Sequence, residues 1–330
     1  MENRQAFFTE VAQQALKEYN LAGSPFTYLQ HSENVTFKVQ RPDGKACLLR
    51  IHYPVVPALG EHGLNPSTVK SELLWLEALR RKTDLPIPQP IRNRRGHLVT
   101  RITFNREQRF NCTMLEWLEG EPYQQNLESE ETAVQMGIIV GRLHQFASQW
   151  YLPAGFTRPR RDIAYFQKAF QTLTPAVEDK RISYQDYKRL ETSLDILTRM
   201  MQSLRSSNKT DGILHGDLHK GNFLYHRGEI RLIDFSFCCT GNFMFDLGIC
   251  FSDMNPALHP FFLEGYKNYM PLPFNYAFLI EAFFIGSMLG TFSFWVDNPN
   301  AQEILVRKVP YIAQEYAAKF NRDERFWPLV

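Results

Sequence analysis

The chain has 330 residues, which is enough to bury a large core in one large or two modest domains. Its 44% apolar and 14% aromatic content is typical of a packed globular protein and excludes a largely disordered chain. The formal net charge of +2 argues against a nucleic-acid-binding protein, because such proteins neutralise many phosphates.

The first part of the chain predicts one helix and a pair of strands. Apolar residues at helical spacing between positions 4 and 19 indicate an amphipathic helix. From Val35 to Gln40 apolar and polar residues alternate, and an apolar strand runs from Ala46 to His52 after a turn at 42–44. This pattern predicts an antiparallel hairpin.

The loop before this hairpin, residues 30–36, is polar and contains no glycine. Its small polar residues, chiefly Ser32 and Asn34, offer hydroxyl and backbone N–H groups that suit a phosphate. A plain connecting loop explains the same residues. No P-loop or G-x-G-x-x-G pattern occurs in the sequence, which disfavours those two kinds of nucleotide site.

The next segment predicts a helix and two more strands. The helix is expected over 67–80, starting at Ser67 or Ser71, and a proline-rich run at 85–90 ends it. Strand-like segments follow at 98–104 and 110–118. We place a domain boundary near Gly120, which divides the chain into residues 1–119 and 120–330.

Beyond Gly120 the pattern is mainly helical. Amphipathic helices are predicted over 130–149 and 182–204, and core packing explains their apolar faces. His144 in the first of these helices is expected to be a packed residue rather than a catalytic one. Between the two helices, Arg158, Arg160 and Arg161 are expected in a solvated loop, with an anionic-substrate patch as the alternative.

The most informative stretch runs from His215 to Asn222 and is followed by an Asp-Phe-Ser triplet at 234–236. Residues 223–233 predict two short strands around a turn at 227–228, a hairpin that brings Asp234 back beside Asn222. Glycine, asparagine and aspartate also cap ordinary turns. The five-residue spacing from Asp217 to Asn222, together with the later Asp-Phe pair, nevertheless matches a catalytic-loop pattern.

This spacing indicates phosphoryl transfer. In kinase-type transfer the first aspartate accepts the hydroxyl proton of the acceptor, while the asparagine and second aspartate hold Mg²⁺ on the phosphates of ATP. Two protein oxygen ligands leave room around Mg²⁺ for phosphate oxygens and water. The sequence therefore predicts Asp217 as catalytic base, Asn222 and Asp234 as metal ligands, and ATP and Mg²⁺ as cofactors. Asp246 and His215 are expected to support the loop.

The run HGDLHKGN resembles the catalytic loop of the aminoglycoside phosphotransferase/choline kinase superfamily, whose usual form is HGDLHxGN. His219 stands where most protein kinases carry lysine, and Ser236 replaces the glycine of D-F-G. The resemblance covers about residues 30–255 in order. It implies a two-lobed, protein-kinase-like α+β fold with a small antiparallel-sheet N-lobe, a larger helical C-lobe, and ATP between them.

The order of motifs in that superfamily implies roles for four more residues. Arg50 stands where kinases place the lysine of the third strand, and Glu72 is the candidate carboxylate partner for its planar fork. Residues 114–118 resemble the hinge, so Glu116 and Leu118 are expected at the adenine edge. The alternative for Arg50 and Glu72 is two unrelated surface residues.

The phosphoryl acceptor does not follow from the resemblance, because the relatives include type II homoserine kinases and bacterial stress-response kinases. Acidic and aromatic residues after the Asp-Phe-Ser triplet suit a cationic amine, although surface acids and core aromatics give the same composition. The expected pocket residues are His219, Asp253, Glu281 and Trp295. A small amino alcohol such as homoserine or choline is the first choice. An aminoglycoside-type antibiotic, a protein serine or threonine, and a catalytically silent binding or coat protein are the alternatives.

Residues 277–296 raise a membrane alternative, since they are long, apolar and contain a G-x-x-x-G pattern. Glu281 would be costly in lipid, which favours a buried helix with this residue facing a cleft. The five cysteines contain no C-x-x-C pair, and the first residues lack an apolar signal core. We therefore expect a cytoplasmic protein without nucleic-acid or membrane partners; its oligomeric state is open.

Overall fold

A computed structural model of the chain describes residues 2–31, 34–55, 64–105 and 108–329. Ser32, one of the two predicted phosphate-loop residues, lies outside these ranges. The chain divides into two compact units. The smaller unit contains Met1–Gly120, Leu152–Arg158 and Arg231–Ser236, and the larger contains Glu121–Tyr151, Pro159–Ile230 and Phe237–Val330. Two late segments of the smaller unit thus belong to the range that the predicted division assigned to the C-lobe.

The smaller unit is built on one antiparallel sheet. Its helices are α1 (Glu2–Glu18) and α2 (Pro66–Lys82). Its strands are β1 (Phe26–His31), β2 (Val35–Gln40), β3 (Ala46–His52), β4 (Pro90–Ile91), β5 (Thr100–Phe104) and β6 (Gln108–Glu116). The strand order is β1-β2-β3-β6-β4, and β5 also pairs with β6. The predicted hairpin of β2 and β3 is present, whereas β1 was not predicted, because this edge strand is half exposed and its alternation is weak.

The two faces of this sheet have different tasks. One face carries Val35, Phe37 and Val39 of β2 together with Leu49 and every second residue of β3. This face packs against the apolar side of α1. Successive residues of a strand point to opposite faces. Arg50 is therefore turned away from α1, on the face that it shares with Thr36 and Thr113 in the strand register.

Helix α2 begins at Pro66, one residue before Ser67, the earlier of the two predicted starts. The side chain of Asn65 accepts a hydrogen bond from the N–H of Ser67 at 2.9 Å, and Pro66 occupies the first helical position. Both features stabilise a helix start. The buried face of α2 carries Leu73, Leu76 and Glu72, so a carboxylate is enclosed with the apolar residues.

The larger unit is mainly helical. Its helices are α3 (Glu130–Gln149), α4 (Ile163–Gln171), α5 (Thr174–Glu178), α6 (Tyr184–Ser203), α7 (Met244–Asp253), α8 (His259–Lys267), α9 (Tyr276–Val296), α10 (Gln302–Tyr311) and α11 (Ala318–Phe320), with a π-helical turn at Ile312–Ala317. Its short strands are β7 (Glu121–Pro122), β8 (Asp211–Leu214), β9 (Phe223–His226), β10 (Glu229–Leu232) and β11 (Cys239–Asn242). The last two residues of β10 belong to the smaller unit.

The predicted hairpin after the catalytic loop is formed by β9 and β10. Arg227 and Gly228 in its turn both have positive φ, +51° and +87°. Two such residues in succession are the conformation that two-residue hairpins prefer. The hairpin thus follows directly from the catalytic loop and leads the chain to Asp234.

Two helix pairs of the larger unit approach closely through glycines. A Cβ atom at Gly137 on α3 would lie 1.9 Å from the carbonyl oxygen of Phe262 on α8, and one at Gly265 would lie 2.1 Å from that of Val134. A Cβ at Gly248 on α7 would meet the backbone of α9 at 2.6 Å. These contacts fix α3 and α7, the two helices that support the catalytic loop.

Helix α9 is the span for which a membrane alternative was considered. Among the described helices it alone is long and apolar enough to cross a bilayer, and 67% of its most apolar window is buried inside the protein. Glu281 on this helix is 1% exposed. Its carboxylate accepts hydrogen bonds from the N–H groups of Phe326 and Trp327, each at 3.0 Å, and from Arg325 at 3.2 Å.

Candidate active site

The loop from His215 to Asn222 connects β8 to β9, and a buried carboxylate holds its start. Asp246 on α7 accepts hydrogen bonds from the N–H groups of His215 and Gly216, both at 2.8 Å. The Nε2 atom of His144 on α3 lies 3.0 Å from the same carboxylate. A carboxylate only accepts hydrogen bonds, so this nitrogen carries the proton. His144 is therefore a buried group that helps to hold Asp246 in place.

Gly216 is required by the shape of the loop. Its φ is +80°, and a Cβ atom there would lie 2.4 Å from the carbonyl oxygen of Phe237. A residue with a side chain would be strained and would collide with backbone. This sharp turn is what directs the next residue, Asp217, out of the buried anchor toward solvent.

Asp217 and Asn222 form one hydrogen-bonded unit. The Nδ2 atom of Asn222 donates to the Asp217 backbone oxygen at 2.8 Å and to its carboxylate Oδ2 at 3.0 Å. The Asp217 side chain is 30% exposed, so an acceptor molecule can reach it. Both amide hydrogens of Asn222 are used on Asp217, which leaves its Oδ1 oxygen to serve as a metal ligand.

The second half of the loop is held by four further contacts. The Nδ1 atom of His219 accepts a hydrogen bond from the N–H of Gly221 at 3.0 Å, which places the proton of the neutral ring on Nε2. That Nε2 lies 3.5 Å from the Asp217 carboxylate. Lys220 pairs with Glu128 through its ammonium group and donates its N–H to Asp253 at 3.1 Å. Two residues predicted for the acceptor pocket, His219 and Asp253, therefore support the loop itself.

In the smaller unit, Arg50 is buried within a set of fixed partners. Its Nη1 lies 2.8 Å from Glu72 Oε1, and both side chains are only 3% exposed. Its Nε donates to the hydroxyl of Thr113 at 3.2 Å. The Nη2 atom is buried and has no hydrogen-bond partner in the described part of the chain. Arg50 and Glu72 thus form a buried ion pair with one donor group free.

His52 completes this arrangement on β3. Burial lowers the pKa of His52 well below its usual value, and the charges of Arg50 and Arg158 lower it further, so the ring is neutral. Its Nε2 lies 3.0 Å from the hydroxyl of Thr113. The same hydroxyl thus contacts both Arg50 and the neutral His52 ring. The chain of bonds fixes the rotation of the Arg50 guanidinium.

The turn at Asp234 joins the same set of contacts through Ser236. Asp234 has a φ of +60°, and its Oδ1 accepts the N–H of Ser236 at 3.2 Å. The Ser236 hydroxyl accepts hydrogen bonds from Arg50 at 3.2 Å and from Asn34 at 3.3 Å. Its carbonyl accepts one from Arg158 at 2.5 Å. Arg158, expected in a solvated loop, is thus bound inside the smaller unit.

The segment predicted as the hinge is extended, and some of its backbone N–H groups form hydrogen bonds within the protein. The N–H of Glu116 donates to the carbonyl of Gln89 at 2.8 Å, and that of Trp117 to the carbonyl of Ala46 at 3.2 Å. The N–H of Leu118 has no internal partner among the residues that the structure describes. Of the two residues predicted at the adenine edge, Leu118 is therefore the one with a free backbone donor.

The predicted site residues divide between the two units. Asn34, Arg50, Glu72, Glu116, Leu118 and Asp234 lie in the smaller unit, and His215, Asp217, His219, Asn222, Asp246, Asp253, Glu281 and Trp295 lie in the larger. The sharing of one Mg²⁺ ion by Asn222 and Asp234 stays a prediction. The assignment of Glu281 and Trp295 to the acceptor pocket also stays a prediction. The carboxylate of Glu281 contacts residues 325–327, and Trp295 is partly exposed.

Comparison with known proteins identifies the relationship. Residues 28–279 match the phosphotransferase enzyme family. The chain is also similar to a homoserine kinase of Neisseria meningitidis, with 28% identity over 200 residues. This match covers 56% of the chain and 60% of that kinase, less than two thirds of its length. The family match confirms the resemblance that the catalytic loop indicated.

Two solved structures show the fold. A microcompartment-associated aminopropanol kinase has a TM-score of 0.79 at 22% identity, covering 96% of this chain and 99% of that one. An amicoumacin kinase in complex with AMP-PNP and Ca²⁺ has a TM-score of 0.77 at 19% identity, covering 98% and 95%. The predicted kinase-like α+β fold is confirmed.

Proposed function

The chain belongs to the phosphotransferase enzyme family, and from this premise we propose that it transfers the γ-phosphoryl group of ATP to a hydroxyl of a small, amine-bearing molecule. The unit formed by Asp217 and Asn222 carries the proposal. It presents an oriented, partly exposed carboxylate at the end of a loop that Asp246 anchors in the core. Orientation and charge placement of this kind supply most of the rate in phosphoryl transfer.

The two oxygens of Asp217 have different roles in this reaction. Oδ2 accepts the hydrogen bond from Asn222 and lies nearest to His219, while Oδ1 has no hydrogen-bond partner among the described residues. Oδ1 therefore takes the proton of the acceptor hydroxyl. The hydroxyl oxygen forms a bond to the γ-phosphorus, the bond between that phosphorus and the bridging oxygen breaks, and ADP leaves.

Free donor and acceptor atoms fit a requirement for ATP and Mg²⁺. The buried Nη2 of Arg50 is a cationic donor without a partner, which suits a phosphate oxygen. The Oδ1 atom of Asn222 takes part in none of its hydrogen bonds to Asp217. In Asp234, Oδ1 accepts the N–H of Ser236, and Oδ2 is left available. Such hard oxygen atoms suit Mg²⁺, which when bound neutralises charge on the phosphates. Arg50, Asn222 and Asp234 are the residues that would hold these groups.

The choice of a small amino alcohol is supported by the relatives. The curated match is a homoserine kinase and one of the similar structures is an aminopropanol kinase, both named for small molecules with a hydroxyl and an amine. The similar amicoumacin kinase keeps an antibiotic acceptor as the second candidate. A protein serine or threonine, and a catalytically silent protein, remain outcomes of the test.

The test measures ADP formation with ATP and Mg²⁺ against homoserine, choline, 3-aminopropan-1-ol, an aminoglycoside and a generic protein. We expect turnover with a small amino alcohol and its loss in Asp217→Asn, which keeps the shape of the side chain but cannot accept the proton. Nucleotide binding by the variant is the control for folding. Turnover only with the antibiotic or the protein would replace the proposed acceptor. ATP binding without turnover on any acceptor would favour the silent protein.

A further inference from the structure

Arg161 lies beside the catalytic loop in the larger unit. Its N–H donates to the carbonyl of Thr240 on β11 at 2.8 Å. Strand β11 pairs with β8, with Cys239 opposite Leu214, and β8 leads directly into His215. The segment that carries Arg161 is thus fixed one strand away from the start of the loop that presents Asp217.

The side chain of Arg161 is a cation without a bound counter-ion. Its guanidinium stacks on the ring of Tyr165, 4.1 Å from the centroid, and lies 5.9 Å from that of Phe245. Its Nε is buried and has no hydrogen-bond partner, and no ion pair is formed to this side chain by any residue that the structure describes. Arginine remains charged in proteins, so this partly exposed cation carries one buried donor, its Nε–H group, without a partner among the described residues.

Stacking does not satisfy this donor. A cation–π contact attracts the guanidinium but accepts no hydrogen bond from Nε, and a buried donor without a partner destabilises the protein. The pKa of Arg161 is lowered by burial, but the nearby groups Tyr165, Cys239, Asp217 and Asp246 raise it overall. The charge of the Asp217 carboxylate is thus among those that favour the charged form of Arg161.

We propose that Arg161 binds an oxyanion of the phosphoryl acceptor, and that the acceptor is accordingly a hydroxy acid or hydroxy amino acid with a carboxylate. The planar fork of arginine matches a carboxylate with two parallel hydrogen bonds. Stacking on Tyr165 holds that fork in one orientation, and the strand pairing places its backbone segment one strand away from the start of the loop that carries the catalytic base. An acceptor of this class is held at its acid group while Asp217 meets its hydroxyl.

This proposal rests on the proposed function and narrows it. Among small amino alcohols, those that bear a carboxylate become acceptors, and cationic alcohols such as choline do not. A phosphate of the nucleotide is the other oxyanion with the same chemistry. The position of Arg161 next to the loop that presents Asp217 favours the acceptor, and the experiment distinguishes the two sources.

L-homoserine and 3-aminopropan-1-ol form a matched pair, because they differ only by the carboxylate. We expect the parent protein to favour homoserine in kcat/KM by about 100-fold, and Arg161→Gln to bring the ratio of the two values close to one. Arg161→Lys retains the charge without the fork and should restore part of the ratio. Arg160→Gln, a change at the neighbouring exposed arginine, is the control and should leave the ratio as it is.

Three kinetic results would overturn the proposal. The ratio in the parent protein could be near one, or Arg161→Gln could lower kcat/KM for both acceptors equally, which is the behaviour of a purely structural residue. A rise in KM for ATP with an unchanged ratio would assign the oxyanion to the nucleotide. If no acceptor is phosphorylated, the proposed function fails separately. In that case the melting temperature with and without homoserine tests the binding site. Homoserine should raise it in the parent protein and not in Arg161→Gln. No rise in the parent protein would overturn the proposal.

Discussion

The Nη1 atom of Arg50 donates a hydrogen bond to the hydroxyl of Ser236 at 3.2 Å, while the same nitrogen pairs with Glu72. Ser236 in turn donates its N–H to Asp234. The residue that replaces the glycine of D-F-G therefore connects the proposed phosphate-binding arginine to a proposed metal ligand. A glycine at this position could make only the backbone contact.

The Ser236→Ala variant tests this connection. Removal of the hydroxyl loses two hydrogen bonds, to Arg50 and Asn34, each with a net value of about 0.5–1.5 kcal/mol. We expect KM for ATP to rise by about tenfold while KM for the acceptor stays unchanged. Steady-state kinetics with each substrate varied in turn measures both constants. Ser203→Ala, at the exposed end of α6, is the control, and equal kinetics in the two variants would contradict the connecting role.

The ion pair between Arg50 and Glu72 predicts strong energetic coupling. A double-mutant cycle of Arg50→Lys and Glu72→Gln on kcat/KM for ATP should give a coupling of about 0.5–3 kcal/mol, because each change removes part of one shared contact. The control is the pair of Arg92 and Glu77, which is joined by two contacts but is exposed by 47% and 28%. There we expect no coupling in kcat/KM. Additivity at both pairs would remove Glu72 from the site.

Asp234 is expected to be necessary for metal-dependent nucleotide binding. The Asp234→Ala change removes the carboxylate oxygen that the turn leaves free, so the affinity gained from Mg²⁺ should disappear. Calorimetric titration of ATP with and without Mg²⁺ measures this difference. Asp195→Ala, at an exposed position of α6, is the control. An unchanged magnesium dependence in Asp234→Ala would refute the metal role.

Stability should fall as the solution becomes acidic, partly because of His259. Burial lowers the pKa of this residue to about 4, below its usual 6.5, so the unfolded chain binds the proton more strongly. The stabilising contribution is complete above pH 6.5 and decreases as the pH falls toward 4. Between pH 7 and pH 5 the loss is about 2 kcal/mol at 1.36 kcal/mol per pH unit.

Urea unfolding at these two pH values checks this expectation. The comparison is with His259→Phe, whose ring can remain stacked on Phe251, where the centroids lie 4.0 Å apart in the parent protein. Taking the difference in the free energy of unfolding between the two proteins cancels the contributions of other groups. One such group is the buried Glu281, whose raised pKa makes its contribution to stability grow as the pH falls. Parallel pH dependence in parent and variant would show that His259 does not titrate in this way.

Local spacing was sufficient for the central parts of the site. The loop from His215 to Asn222, the hairpin after it and the helices of the larger unit follow from short patterns, because their geometry is set by neighbours in the chain. The Arg50 and Glu72 pair was identified from motif order, which is a weaker signal. The structure adds that both residues are buried and that their side chains are in contact at 2.8 Å.

The sequence could not identify contacts between residues far apart in the chain. Ser236 meets Asn34 and Arg50 across 202 and 186 positions, and no periodic pattern encodes such a meeting. Arg158 and Arg161 were predicted as loop charges because polarity alone does not reveal the contacts that their side chains make. The missed start of α2 was a different error, since Asn65 before Pro66 is a recognised start signal that was available.

The anchoring of the catalytic loop has a consequence for its evolution. Asp246, His144 and Gly216 shape the start of the loop through bonds in which the side chain of Asp217 takes no part. A descendant that lost Asp217 would keep an almost unchanged loop conformation, since its scaffold is inherited separately from its chemistry. An ordered loop is therefore no measure of catalytic competence in this lineage. Loss of activity by a single substitution would leave a stable protein free to acquire another role.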